Sequence, residues 1–82
     1  MAKVLTVLKV FPDEGIDVEK LKDDVAKIEG CNSCRIEEYV FGQKIVRASF
    51  VCEDSESKDF EEIVSKVPGV SSAQVEEIGL VS

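Results

Sequence analysis

The chain has 82 residues, contains neither histidine nor tryptophan, and carries a formal net charge of −7 at pH 7. This length predicts a single domain over residues 1–82, with a thin core. Because an acidic surface repels phosphate backbones, the charge argues against direct nucleic-acid binding. The apolar runs are too short to cross a bilayer and the first residues show no secretory pattern, so we expect a cytoplasmic protein without a membrane segment.

The first third of the chain predicts a strand followed by a helix. Alternation and abundant valine and leucine indicate a strand over about residues 2–11. One face carries Val4, Thr6, Leu8 and Val10, and the other carries Lys3, Leu5, Val7, Lys9 and Phe11. After a loop, Asp17 is placed to cap a helix of about three turns that ends before Gly30. Its apolar stripe consists of Val18, Leu21, Val25 and Ile28.

The middle of the chain predicts a β-hairpin. We expect residues 31–34 to form a loop and residues 35–41 and 44–52 to form the two strands. Gly42 and Gln43 supply the tight connection between them.

A second helix and a last strand follow the hairpin. Ser57 is the expected N-cap of the helix, and Pro68-Gly69 is expected to stop it. The strand covers about residues 72–81. The helix stripe consists of Phe60, Ile63, Val64 and Val67.

The order β-α-β-β-α-β predicts an α+β fold of the ferredoxin-like type. Right-handed crossovers place both helices on one face of a four-stranded antiparallel sheet. The opposite face is then left without a helix. Apolar side chains expected on that open face include Leu5, Val7, Phe11 and Ile45. We interpret most of them as ordinary surface residues, although part of the face is suited to a partner.

The spacing of Cys31 and Cys34 is one that metal sites and redox pairs use. A structural zinc site needs four ligands, however, and Cys52 supplies at most a third. The chain also lacks a general-base histidine and a glycine-rich phosphate loop. We therefore predict a protein that is not an enzyme and has no catalytic residues, cofactor or metal, with a thiol or metal protein as a remaining alternative.

Phe41 followed by Gly42 suggests a different kind of site. An aromatic ring at the tip of a hairpin can project outward, and such rings are common anchors of protein interfaces. The ring can equally fold back over the edge of the core. The residues alone leave both alternatives open.

Residues 39–46, which read Tyr-Val-Phe-Gly-Gln-Lys-Ile-Val, resemble the Phe-Gly-x-Lys segment of the elongation factor 1-beta family. The resemblance continues in residues 4–12, in residues 51–54 and in the Val-Pro-Gly-Val of residues 67–70. It covers nearly the whole chain, and the length is similar to that of the short archaeal form, which consists of the exchange domain alone.

This resemblance implies a translation elongation factor that promotes GDP release from its partner, the GTPase elongation factor 1-alpha. A factor that binds the nucleotide-free GTPase more tightly must weaken GDP binding by the same ratio. The resemblance also implies three partner-binding residues. Phe41 would enter the partner beside its nucleotide site, Gly42 would allow the close turn, and Lys44 matches the lysine of the motif.

The C-terminal residues 76–82 depart from the family, because they contain no lysine or arginine. The family usually carries a basic residue near this end, and in eukaryotic members it reaches toward the partner's magnesium site. The departure leaves an alternative function open. The chain would then be a non-exchange protein-binding or small-ligand-sensing module of the same fold, dimerising through its open sheet face.

Overall fold

The fold is organised around its first strand. A computed structural model of the protein describes residues 3–53 and 59–81, with strand β1 (Lys3–Pro12) at the centre of the sheet. Antiparallel pairing joins β1 to strand β3 (Lys44–Glu53) on one side and to strand β4 (Val70–Val81) on the other. A strand with neighbours on both sides needs β-forming residues throughout, and the valine- and leucine-rich first segment supplies them.

The remaining elements complete the βαββαβ order. Helix α1 (Val18–Ala26) leads into strand β2 (Cys31–Glu38), a 3-10 turn (Val40–Gly42) joins β2 to β3, and helix α2 (Phe60–Ser65) precedes β4. The sheet order is β2-β3-β1-β4, with all neighbours antiparallel. The ferredoxin-like α+β prediction is confirmed.

The core lies between one face of the sheet and the two helices of the described ranges. Its buried side chains are Leu8, Val10, Leu21, Val25, Val46, Ala48, Phe50, Phe60 and Val64. The rings of Phe50 on β3 and Phe60 on α2 stack with centroids 4.7 Å apart and planes 17° from parallel. The predicted alternation is therefore confirmed for β1 and β3, whose inward residues face this core.

The helix termini agree with the sequence in one case and differ in the other. Asp17 caps α1, its carboxylate accepting from the N–H of Glu19 at 3.0 Å. The helix ends at Ala26, two residues before Ile28, the last residue of the predicted stripe. Ser57 lies outside the described residues, and the N-cap of α2 is Asp59, which accepts from the N–H of Glu62 at 3.2 Å.

The boundaries of the hairpin were predicted wrongly. Residues 31–34 are not a loop, because β2 already begins at Cys31, which pairs with Phe50. Asn32 and Ser33 are loop formers by propensity, but the ten-residue β3 offers a hydrogen-bonding edge that overrides this preference. A bulge between Cys31 and Ser33 absorbs the mismatch.

At the other end, β2 stops at Glu38 and not at Phe41, so the connection spans residues 39–43 and is longer than Gly42-Gln43 alone. β4 begins at Val70, two residues earlier than predicted.

The open face of the sheet is less exposed than the sequence suggested. Leu5, Val7 and Phe11 are half-buried, and Ile45 is only 2% exposed although no described helix covers this face. Part of this face is therefore shielded from solvent in the isolated chain.

Gly30 packs closely against Phe60 of α2, and a substitution there measures how much this close packing contributes to stability. Its φ is +97°, and a Cβ added there would lie 3.1 Å from Cζ of Phe60 and 3.2 Å from the carbonyl oxygen of Val51. We expect Gly30→Ala to lower the free energy of unfolding by about 3 kcal/mol, from backbone strain and overpacking together. Gly15→Ala is the matched control, since Gly15 has a φ of +82° with nothing within 4 Å of the added atom. It should cost only about 1 kcal/mol in urea unfolding, and equal losses would contradict the predicted close contact.

Candidate functional site

The connection between β2 and β3 is a compact turn, here called the Phe41 turn (residues 39–43). The N–H of Tyr39 donates to the carbonyl of Gln43, and the N–H of Gln43 donates back to the carbonyl of Val40 at 3.2 Å. These two backbone hydrogen bonds close the turn. Phe41 lies at its tip with φ 58° and ψ 32°, in the left-handed region.

The backbone at Phe41 is strained. A non-glycine residue in the left-handed conformation costs about 1–2 kcal/mol, because Cβ crowds the following carbonyl oxygen. Gly42, with φ +72°, adopts a similar conformation without that cost. Within the described residues Phe41 alone among non-glycine residues has a positive φ. Such outliers persist only where the surrounding structure determines them, and they cluster at functional sites.

The side chain of Phe41 is fully exposed, and Val40 beside it is more than half exposed. The ring therefore projects into solvent, and the alternative that it folds back over the core edge is wrong. An exposed phenyl ring gains nothing for folding. Its presence on a strained backbone at the tip of a turn is typical of an interface anchor.

The other two predicted partner-binding residues lie beside the ring. Gly42 directly follows Phe41 in the turn, and Lys44 is the exposed first residue of β3, paired with Glu38. All three predicted residues thus lie at one end of the sheet. Whether they contact a partner stays a prediction.

Sequence reasoning missed Tyr39, the first residue of the Phe41 turn. Its ring meets the ring of Phe11 edge-on, with centroids 5.2 Å apart and planes at 81°, and Lys9 Nζ lies 5.6 Å from its centroid. Both partners belong to β1 and project from the open face. An aromatic residue opposite the end of a central strand was the available signal, but using it requires the register that the turn length sets.

Charged side chains form a network across the open face next to this turn. Arg47 on β3 contacts Glu37 on β2 at 3.2 Å and Glu76 on β4 at 3.0 Å. Glu76 also lies 3.7 Å from Lys9 on β1, so the network reaches all four strands. The hydrogen bond to Glu37 raises the pKa of Arg47, which keeps its charge fixed.

The last residues of β4 lie at the opposite end of the sheet from the Phe41 turn. Lys3 pairs with both Glu53 and Val81, whereas Val10 pairs with Val46 near the turn. Lys3 and Val10 are seven residue steps apart along an extended strand, which is roughly 23 Å. The end of the described chain and the exposed phenyl ring therefore do not share one small contact surface.

The cysteines are part of the packed sheet. The bulge turns both Cys31 and Cys34 toward the core, and Cys34 Sγ donates to the carbonyl of Lys22 on α1 at 3.4 Å. Burial raises the pKa of Cys34 to about 11, and the neighbouring Cys31 adds to the shift. Among residues 3–53 and 59–81, no three Cys, Asp or Glu side chains are grouped so that they could hold a metal ion.

Comparison with known proteins identifies the class. The family model described as the EF-1 guanine nucleotide exchange domain matches residues 5–81, and the chain belongs to this family. The elongation factor 1-beta of Staphylothermus marinus is 40% identical over 86 residues, covering 95% of this chain and 96% of the relative. The resemblance seen in the sequence is confirmed, and with it the function of a guanine-nucleotide exchange domain in translation elongation.

A separate observation concerns membranes. Within the two described ranges, no helix combines the length and the apolar character that crossing a bilayer requires.

The raised pKa of Cys34 predicts slow alkylation. In a Cys31→Ser, Cys52→Ser variant, which keeps the burial of Cys34 but loses the contribution of Cys31, we expect iodoacetamide at pH 8 to modify Cys34 at least about tenfold more slowly in the folded chain than in urea, because the thiolate is the reactive form. Since the folded state holds this proton more tightly, the associated stability is present below pH 9 and is lost as the pH rises toward 11. Equal rates in folded and unfolded chains would contradict the burial of this thiol.

The strain at Phe41 predicts a stabilising substitution. Asparagine tolerates the left-handed region better than phenylalanine, and the exposed ring contributes no burial. We expect Phe41→Asn to raise the free energy of unfolding by about 1 kcal/mol in urea titrations. Val40→Asn is the matched control, since Val40 lies in the same turn without a positive φ, and it should give no gain. A loss of stability in Phe41→Asn would mean that the ring supports the fold.

Proposed function

We propose that this chain promotes GDP release from elongation factor 1-alpha by inserting Phe41 beside the nucleotide site of the GTPase. The observation that carries the proposal is a fully exposed phenyl ring held on a strained, hydrogen-bonded turn. Membership of the exchange-domain family supplies the partner class. We place this activity in the cytoplasm, where translation elongation takes place.

Burial of the exposed Phe41 ring in a partner would contribute to the free energy of binding. Fully burying a phenylalanine side chain contributes about 2–3 kcal/mol, and none of it is already used inside this chain. That range corresponds to roughly 30- to 150-fold in affinity for a partner pocket. One well-buried aromatic anchor of this kind is a typical hot spot of a protein interface.

Exchange on this model requires no chemical step. If the pocket for Phe41 is better formed in the nucleotide-free GTPase than in its GDP complex, the ring binds the free form more tightly. By linkage, the bound factor then weakens GDP binding by the same ratio. The chain then acts as a binding partner and needs no acid, base or metal of its own, and we propose that it is not an enzyme in the usual sense.

Residues 76–82 contain no lysine or arginine, and the described end of β4 lies far from the Phe41 turn. We propose that exchange depends on the Phe41 turn itself. We further propose that Lys44, which is exposed at the start of β3, acts as a cation beside it and that Gly42 permits the turn.

The test is the release of a fluorescent GDP analogue from the cognate elongation factor 1-alpha, with excess unlabelled GDP. We expect the wild type to accelerate release and Phe41→Ala to reduce the effect by at least about thirtyfold at subsaturating concentration. Lys44→Ala should give a smaller loss. Cys31→Ser is the control, since it lies at the other end of the sheet, and it should match the wild type.

Two outcomes would contradict the proposal. Full activity in folded Phe41→Ala would mean that exchange does not depend on the Phe41 ring. No acceleration by correctly folded wild type would favour the alternative of a non-exchange binding module.

A further inference from the structure

We propose that Tyr39 is a positioning residue that holds the Phe41 turn in the conformation used for binding. This inference rests on the proposed function and deepens it, because it names a residue that acts through Phe41 without itself entering the partner. Three observations carry it: the contacts of the Tyr39 ring, the strain of the turn, and the ionic network behind Lys9.

The contacts of Tyr39 tie the turn to the central strand. Its ring meets Phe11 edge-on at 5.2 Å, the geometry that aromatic pairs prefer. On the same face, the ammonium group of Lys9 lies 5.6 Å from the ring centroid, within the range of a cation–π interaction. Phe11 and Lys9 belong to β1, whereas the turn connects β2 to β3. The ring therefore joins elements that the hairpin alone does not hold together.

The conformation of the Phe41 turn must be stabilised by side chains other than Phe41. Phe41 is fully exposed, so its own side chain cannot fix the strained backbone beneath it. Two backbone hydrogen bonds close the turn, and both involve Gln43. If the turn were free to relax, the ring would sample many directions, and ordering it on binding would weaken association. Because Tyr39 is held against β1, the turn is already ordered before binding, and this loss of affinity is avoided.

The Lys9 ammonium group that contacts the Tyr39 ring is itself held by an ion pair. Lys9 Nζ lies 3.7 Å from Glu76, which also contacts Arg47 at 3.0 Å. Arg47 reaches on to Glu37 at 3.2 Å. The contact with Glu76, which Arg47 holds in turn, keeps the Lys9 side chain over the open face, where it meets the Tyr39 ring.

The first part of the test measures exchange at varied factor concentration. We expect Tyr39→Ala to raise the half-saturating concentration about five- to tenfold while leaving the maximal rate unchanged, because the bound state is the same once formed. Tyr39→Phe keeps the ring and should stay within about twofold of the wild type. Ile63→Ala is the matched control, since Ile63 on α2 and Tyr39 are both 38% exposed, and it should have no effect.

The second part reads the turn directly, without the GTPase. Backbone ¹⁵N order parameters of residues 40–42 should be near those of rigid backbone, about 0.85, in the wild type and in Tyr39→Phe. In Tyr39→Ala they should fall below about 0.6. Tyr39→Leu, which keeps apolar bulk without an aromatic ring, should show the same loss and guards against a variant that fails to fold.

The outcomes separate the two proposals. Unchanged order parameters in Tyr39→Ala and Tyr39→Leu would overturn the inference, as would an unchanged half-saturating concentration in an active protein. A wild type without exchange activity would overturn the proposed function. The order parameters alone would then decide whether Tyr39 holds the turn.

Discussion

The stack of Phe50 on Phe60 is the contact on which the rest of the structure depends. Helix α2 has six residues, too few to be stable in isolation, so its position must come from packing. Phe60 at its start provides that packing, because it lies on β3 through Phe50 and against the Gly30 turn that precedes β2. One ring thus joins the second helix, a central strand and the beginning of an edge strand. With that junction made, α2 is held against the inner face of the sheet, and this packing favours the register of β3 on β1 that turns Phe50 inward.

A fixed register on the inner face has consequences on the outer face. It sets Lys9 opposite Arg47, two like charges that would repel each other if they were alone. Arg47 forms ion pairs with Glu76 and Glu37, and Glu76 also lies next to Lys9. Two carboxylates therefore balance the two positive charges. The same register brings Phe11 within reach of Tyr39. The core therefore determines indirectly where the strained turn and its exposed ring are held.

The sequence was most informative where apolar residues recur with a regular period and pack together on one face of an element. Alternation along β1 and β3 predicted the inward residues, and the element order predicted the ferredoxin-like sheet. Boundaries were less predictable, because Asn32 and Ser33 resemble a loop locally while the long edge of β3 recruits them into β2. The family resemblance singled out Phe41 but not its left-handed backbone. Tyr39 was missed because its partners come from a distant strand, and only the final register brings them together.

β4 contains a bulge at Glu76, because Val7 pairs with Glu77 whereas Leu8 pairs with Val75. This bulge affects how the edges of separate molecules can pair. β4 is a twelve-residue edge strand, and its outer edge has no pairing partner among the described strands. Ile78 and Leu80 on this strand are largely exposed. A long, regular edge with exposed apolar side chains is a template on which identical chains add strand to strand. The ladder of β4 is interrupted between Val75 and Glu77, so an incoming strand meets a kink midway along the edge. We therefore expect the bulge at the glutamate that binds Arg47 to oppose the growth of an intermolecular sheet along this edge.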